Sequence, residues 1–138
     1  MARIRKLCHT EDAVTIFPCI TGNSIKREGE ESEGSVLSIE KVVYISHEFG
    51  GKQENADKIA TLVTELSNLY PTICFISPVH AFGFMYESID YDRGMSYCLT
   101  LLDMCDEMWV FGECSNSKGC LIEKEYCKKY KIPIVEKG

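Results

Sequence analysis

Four short apolar runs alternate with three stretches of helical periodicity between residues 41 and 135, and that alternation limits the folds open to this chain. Lys41–Ser46 (KVVYIS) and Thr72–Ser77 (TICFIS) are β-rich and lack polar alternation, as expected of strands covered on both faces. Glu107–Gly112 and Ile132–Val135 read the same way. Between them, Asn55–Tyr70 places Ala56, Ile59, Ala60, Leu62, Val63, Leu66 and Leu69 on one broad helical face and stops at Pro71. Met95, Cys98, Leu99, Leu101, Leu102 and Cys105 recur at helical spacing behind Asp92, which stands where a capping residue would. Ser117–Tyr130 is the third helix. The order β-α-β-α-β-α-β requires a parallel sheet with right-handed crossovers. The expected architecture is an α/β, flavodoxin-like three-layer sandwich with a four-stranded parallel sheet ordered 2-1-3-4 and an N-terminal β-rich arm. Its ligand crevice falls between strands 1 and 3, at their carboxyl ends.

Residues 1–39 differ in character and form the arm, whose charged loop KREGEESEG has no apolar face; residues 40–138 form the α/β domain. The long segment Pro78–Tyr91 reads as a loop rich in aromatics and glycine, and loops of that length are usually functional or mobile. A chain of 138 residues holds one core of this kind without staples. Its net charge of −6 argues against nucleic acid or an anionic membrane as partner, because both demand a basic footprint. No apolar run is long enough to span a bilayer, and no secretory signal opens the chain, so the expected compartment is the cytoplasm. Eight cysteines show no CxxC spacing and no accompanying HxxxH, so no metal is expected and the thiols are read as reduced core residues. No cofactor is expected either: no GxGxxG follows strand 1, and no GxxxxGK[ST] or GxSxG occurs.

The chemistry-bearing candidates gather around the two crevice loops. After strand 1 come His47, Phe49 and Gly50; after strand 2 comes His80, with Phe82 close behind. After strand 3 a small polar loop runs from Glu113 to Gly119, and a carboxylate, Glu123, follows about one helical turn in. A helix N-terminus there favours an anion and would keep Glu123 ionised, and an ionised carboxylate can attack an electrophilic sugar carbon. The same position also suits an ordinary first-turn acid. Cys114 and Cys120 flank the loop as alternative nucleophiles, although no histidine lies nearby in sequence. The loop aromatics Phe82, Phe84, Tyr86 and Tyr91 suit base stacking, a buried flap or a subunit interface.

Three segments together carry a resemblance: VYISHEFGGKQEN after strand 1, YDRGMSYCLTLLDMCDEMWVFGE through helix 2 and strand 3, and SKGCLIEKEYCKKYKIPI. Over residues 41–137 the chain resembles the nucleoside 2-deoxyribosyltransferase-like superfamily, more closely its small bacterial and phage branch of DUF4406-type domains. The resemblance implies that Glu123, four residues after Gly119, is the nucleophile toward the anomeric carbon of a nucleoside or nucleotide. It implies that Asp92 handles the proton on the leaving base and that Tyr44 orients Glu123. It puts Glu113 at the acid position ending strand 3, with Ser117 and Gly119 in the ligand loop. It also implies a homo-oligomer with sites near subunit contacts. The expected function is therefore that of an N-glycosyl bond enzyme, a deoxyribosyltransferase or N-glycosidase. The alternative is a non-catalytic protein that senses or sequesters an NAD- or nucleotide-derived signal, such as a phage would encode.

Overall fold

The computed structural model describes residues 36–112 and 116–137. The N-terminal arm and its charged loop fall almost wholly outside the described residues. Strands β1 (Lys41–Ser46), β2 (Ile73–Ile76), β3 (Glu107–Val110) and β4 (Ile134–Glu136) alternate with helices α1 (Gln53–Leu69), α2 (Pro78–Phe82), α3 (Tyr91–Asp103) and α4 (Lys118–Tyr130). All strand pairs are parallel, in the order β2-β1-β3-β4, as the alternation of runs requires. No helix among the described residues is long and apolar enough to cross a membrane.

The side-chain period of two along a strand sorts the core into two halves. Tyr44, Met108 and Val110 point to one face, where they pack with Leu102, Cys105, Cys120 and Cys127 of the α3 and α4 region. Val43, Ile45 and Trp109 point to the other, against Leu62, Val63 and Leu66 of α1. This sidedness follows from handedness. The β1–β2 crossover runs one way along the sheet and the β2–β3 and β3–β4 crossovers run the other, so right-handed connections put α1 opposite α3 and α4. The crevice therefore opens where the chain reverses direction, between β1 and β3.

Two local features differ from the sequence expectation. Pro78–Tyr91 is not a plain loop: Ser77 caps a short helix through the His80 amide, Pro78 occupies its first turn, and a 3₁₀ turn Gly83–Met85 follows. Elements this short leave no periodicity to read. Helix α3 is capped by Asp90, whose carboxylate accepts from the Arg93 amide, while Asp92 sits inside the first turn.

The loop after β1 is shaped by two glycines and one amide. Asn55, buried at the start of α1, donates its side-chain N–H to the Phe49 carbonyl at 2.9 Å and ties the loop down. Gly50 and Gly51 both have positive φ, of 62° and 75°. They differ in surroundings. A Cβ on Gly50 would meet nothing within 4 Å, whereas one on Gly51 would lie 2.7 Å from the Tyr86 ring. That ring is held edge-on to Phe49, 5.2 Å between centroids. Gly50→Ala should therefore cost only backbone strain, about 1 kcal/mol, and Gly51→Ala about 2–3 kcal/mol because Tyr86 must also be displaced. Urea denaturation of the two variants side by side checks this; equal midpoints would contradict the Tyr86 contact.

Candidate functional site

At the carboxyl ends of the strands a cavity of about 650 Å³ opens between the β1 loop, the α2–3₁₀ segment, the face of α3 and the start of α4. Its volume lies in the range of small-molecule sites. Phe49, Phe82, Met85, Tyr86, Ile89 and Met95 supply most of its apolar wall, and His47, Glu48, Lys52, Asp90, Lys118 and Glu123 are among its ionisable groups.

Glu123 is the buried charge of this wall. Only 6% of the residue is exposed. It lies in the second turn of α4, not the first, since the helix begins at Lys118 behind its cap Ser117. From there its carboxylate reaches back over the end of β1. The Tyr44 hydroxyl donates to Oε2 at 2.5 Å and the Ser46 hydroxyl donates to Oε1 at 2.7 Å. Tyr44 and Ser46 are two apart on one strand and so share a face, and both are wholly buried. One donor thus meets each oxygen, fixing the plane of the carboxylate while leaving each oxygen a further lone pair.

Burial dominates the electrostatics. Desolvation pushes the Glu123 carboxyl up to about 7, against the opposing pull of the Tyr44 and Ser46 hydrogen bonds. The expectation of a carboxylate held ionised by the helix terminus is thereby corrected: one turn further in, desolvation outweighs a terminal dipole that fades within the first turn. Tyr44 is raised well above its ordinary value, first by burial and then by the adjacent Glu123. Tyr91 is also raised, by burial and then by Tyr86 and Glu123 among its neighbours.

The structure brings together most of the residues singled out in the sequence. His47, Phe49, Gly50, Phe82, Ser117 and Gly119 line the cavity with Glu123, and Tyr44 lies directly behind it. Ser117 spends its hydroxyl on the Cys120 amide as the α4 cap. Gly119 lies close under the Tyr91 hydroxyl, where a Cβ would stand 3.3 Å away. Two candidates fall elsewhere. His80 is exposed and its Nδ1 pairs with Ser77 Oγ at 2.9 Å, a contact internal to the α2 cap. Asp92 is exposed and does not border the cavity. Glu113 and Cys114 lie outside the described residues.

Further residues join the site beside Tyr91, which the sequence already offers for base stacking. With it, Asp90, Gly94, Met95 and Cys98 form the α3 stripe along the wall. Their spacing of i, i+4 and i+8 from Asp90 is a usable signal; its polar and small members hide it from a search for apolar periodicity. Ser46, the last residue of β1, shares the parity of Tyr44 and could have been found from that. Cys74, Cys98, Cys105 and Cys127 are in no disulfide, as expected. Cys120 is the exception, being disulfide-bonded. The expectation of reduced thiols rests on cysteine spacing along the chain, which does not say which sulfurs the fold brings together. Among the described residues no three His, Cys, Asp or Glu side chains are grouped to hold a metal ion.

A family model, the domain of unknown function DUF7768, matches residues 41–137. The chain belongs to the DUF7768 family. The match spans the whole α/β unit and every described wall of the cavity, and the family's description assigns no activity. No curated protein and no solved structure matches the chain.

The raised Glu123 carboxyl has a consequence for the stability of this DUF7768 domain. The folded state keeps the proton until about pH 7, whereas an unfolded chain releases it near the ordinary value of 4.5. Between those values unfolding releases a proton, so stability falls as pH rises through the window and levels off above it. The full difference is about 3 kcal/mol at most. Glu123→Gln, neutral throughout, should lack this contribution and gain on wild type by that order between pH 4.5 and 8. Parallel stability curves in urea over that range would show the carboxyl to be unperturbed.

Proposed function

We propose that the DUF7768 domain binds a nucleoside or nucleotide in this cavity and cleaves or transfers its N-glycosyl bond through Glu123. The observation that carries the reading is a nearly buried carboxylate, gripped at both oxygens by hydroxyls, in the wall of a largely apolar cavity. A carboxyl so placed weakens the fold relative to an apolar side chain, and such arrangements cluster at working sites.

The chemistry follows from the placement. A lone pair of the ionised Glu123 carboxylate attacks the anomeric carbon as the N-glycosyl bond breaks, and the bonding pair leaves with the base nitrogen, which takes up a proton. The resulting glycosyl ester is opened by water, giving hydrolysis, or by a second base, giving transfer. The Tyr44 and Ser46 hydroxyls hold the carboxylate in one plane and limit its rotation. The Phe49–Tyr86 pair and Phe82 offer apolar and π surface to a base.

For the proton on the base, Asp90 is the better placed carboxyl. It lines the cavity, and its cap bond to the Arg93 amide occupies only Oδ2. Asp92, two residues on, lies about 200° round the helix from it and faces solvent. Asp90 in this role supports an acid–nucleophile division like that of glycosidases, with Glu123 as nucleophile.

Binding without turnover is the second reading, and one observation favours it: Asp92, the acid implied by resemblance, is not at the cavity. Recovery of a saturably bound nucleoside or nucleotide in unchanged form would support it.

The test is release of free base from a panel of ribo- and deoxyribonucleosides and their 5′-monophosphates. Wild type should release base at a rate that rises with pH through about 7, as Glu123 ionises. Glu123→Ala should lose about three powers of ten or more, and Asp90→Asn about one to two. A Glu123→Ala protein as active as wild type rules out the nucleophile.

A further inference from the structure

Asn55, in the first turn of α1, lines the cavity and is only 5% exposed. Its Nδ2 lies 2.9 Å from the Phe49 carbonyl oxygen. A carbonyl oxygen only accepts, so this contact settles which end of the amide is nitrogen and which is oxygen. The tie to the loop uses one of the two Nδ2 hydrogens. Oδ1 and the second hydrogen take no part in it, and neither is hydrogen-bonded to a described residue. A buried amide oxygen without a protein partner is uncommon, and holding the loop gives no reason for one.

The wall around Asn55 narrows what this amide would meet. The carbonyl that anchors it belongs to Phe49, whose ring stands edge-on to Tyr86 and packs against Gly83, where a Cβ would lie 3.3 Å from the ring. Phe49, Tyr86 and Asn55 thus form one stretch of wall, an aromatic surface with an amide at its root. Glu123 belongs to α4, on the opposite face of the sheet from α1. We infer that Asn55 reads the base of the bound nucleoside: its Oδ1 accepts from an amino group, and its second Nδ2 hydrogen goes to the ring nitrogen beside that group. Adenine presents such an edge, and an asparagine amide pairs with it through two parallel hydrogen bonds. With the anomeric carbon at Glu123 and the base on the Phe49–Tyr86 surface, that edge turns toward α1. A base without the amino group would bury Oδ1 unpaired, and such a loss is what lets a polar site reject a ligand.

The inference rests on the reading of the cavity as a nucleoside site, but its test needs no turnover. Adenosine and purine riboside differ by the amino group on the base. Their affinities would be measured by calorimetry on Glu123→Gln protein, in which the proposed cleavage is blocked, and again with Asn55→Ala added.

Adenosine should bind about ten- to a hundredfold more tightly than purine riboside, because only adenosine pairs the buried oxygen. Asn55→Ala should abolish that preference. The ratio separates reading from loop-holding, because a loosened loop weakens both ligands alike. Equal affinities in the Glu123→Gln protein overturn the inference and leave the nucleoside site standing. A preference that survives Asn55→Ala also overturns it, and binding of neither ligand overturns the nucleoside site with it. Should Asn55→Ala fail to fold, the side-chain amide signals of Asn55 in nitrogen-labelled Glu123→Gln protein decide the matter. They should move on addition of adenosine and stay in place with purine riboside; equal movement overturns the inference. The expected preference without release of base by wild type would overturn the glycosyl chemistry and leave the role of Asn55 standing.

Discussion

The site depends on one contact made across 79 positions of sequence, the bond from the Tyr44 hydroxyl to the Glu123 carboxylate, with Ser46 as its second support. A carboxyl removed from water loses far more hydration than two neutral hydroxyls restore, which is why it rests near neutrality and not in the usual acid range. The fold tolerates this because the contact sits at a sheet end. There α4 begins and the β1 backbone runs out, so the carboxyl is covered by protein on one side and by the cavity on the other.

The scaffold and the site draw on the same alternation. Val43 and Ile45 face α1 and carry core packing alone. Tyr44 and Ser46 face α4, and side chains on this face grow more polar in role toward the carboxyl end of β1. Val42 packs, Tyr44 packs and donates, and Ser46 only donates. At the other end of the same strands the polar groups serve structure. Lys41 pairs with Glu107 at 2.7 Å, and Asp106 accepts from the Val42 amide at 2.7 Å, fixing the register of β1 against β3. Tyr70, Phe75 and Trp109 meet edge to face, and Lys137 stands over the Trp109 ring.

The parallel sheet was legible in the sequence because the alternation of runs demands crossover connections, and its order 2-1-3-4 because that is the flavodoxin-like layout such alternation commonly adopts. Glu123 was legible because it follows a small polar loop near the start of a helix, whereas Tyr44 was singled out only through the resemblance. The short α2 helix was not legible, since five residues offer no period and only Ser77 and Pro78 mark its start. Nor was the protonation of Glu123. Sequence places it near a helix terminus, but the dominant effect on it is desolvation by residues dozens of positions away. Cys98 was hidden for a related reason: its spacing to Cys105 suggests one helix face, but α3 ends at Asp103, so Cys105 lies past the helix in the core while Cys98 looks into the cavity.

The choice between Asp90 and Asp92 shows how helix geometry constrains a motif match. A single helix can give a cavity only one stripe, and on α3 that stripe is set by Gly94 and Cys98, whose small side chains leave room for the cavity against the sheet. One turn before Gly94 on the same stripe stands Asp90. Asp92 stands four before Ser96 instead, on a face where both residues are exposed and where the Ser96 hydroxyl turns back to the Asp92 carbonyl. For Asp92 to enter the cavity, α3 would have to rotate by close to half a turn, withdrawing Cys98 from the cavity wall and turning the apolar face that carries Leu102 away from the core. The burial of Leu102 therefore holds the helix in the register that presents Asp90, so that the packing of the core selects which acid the cavity contains.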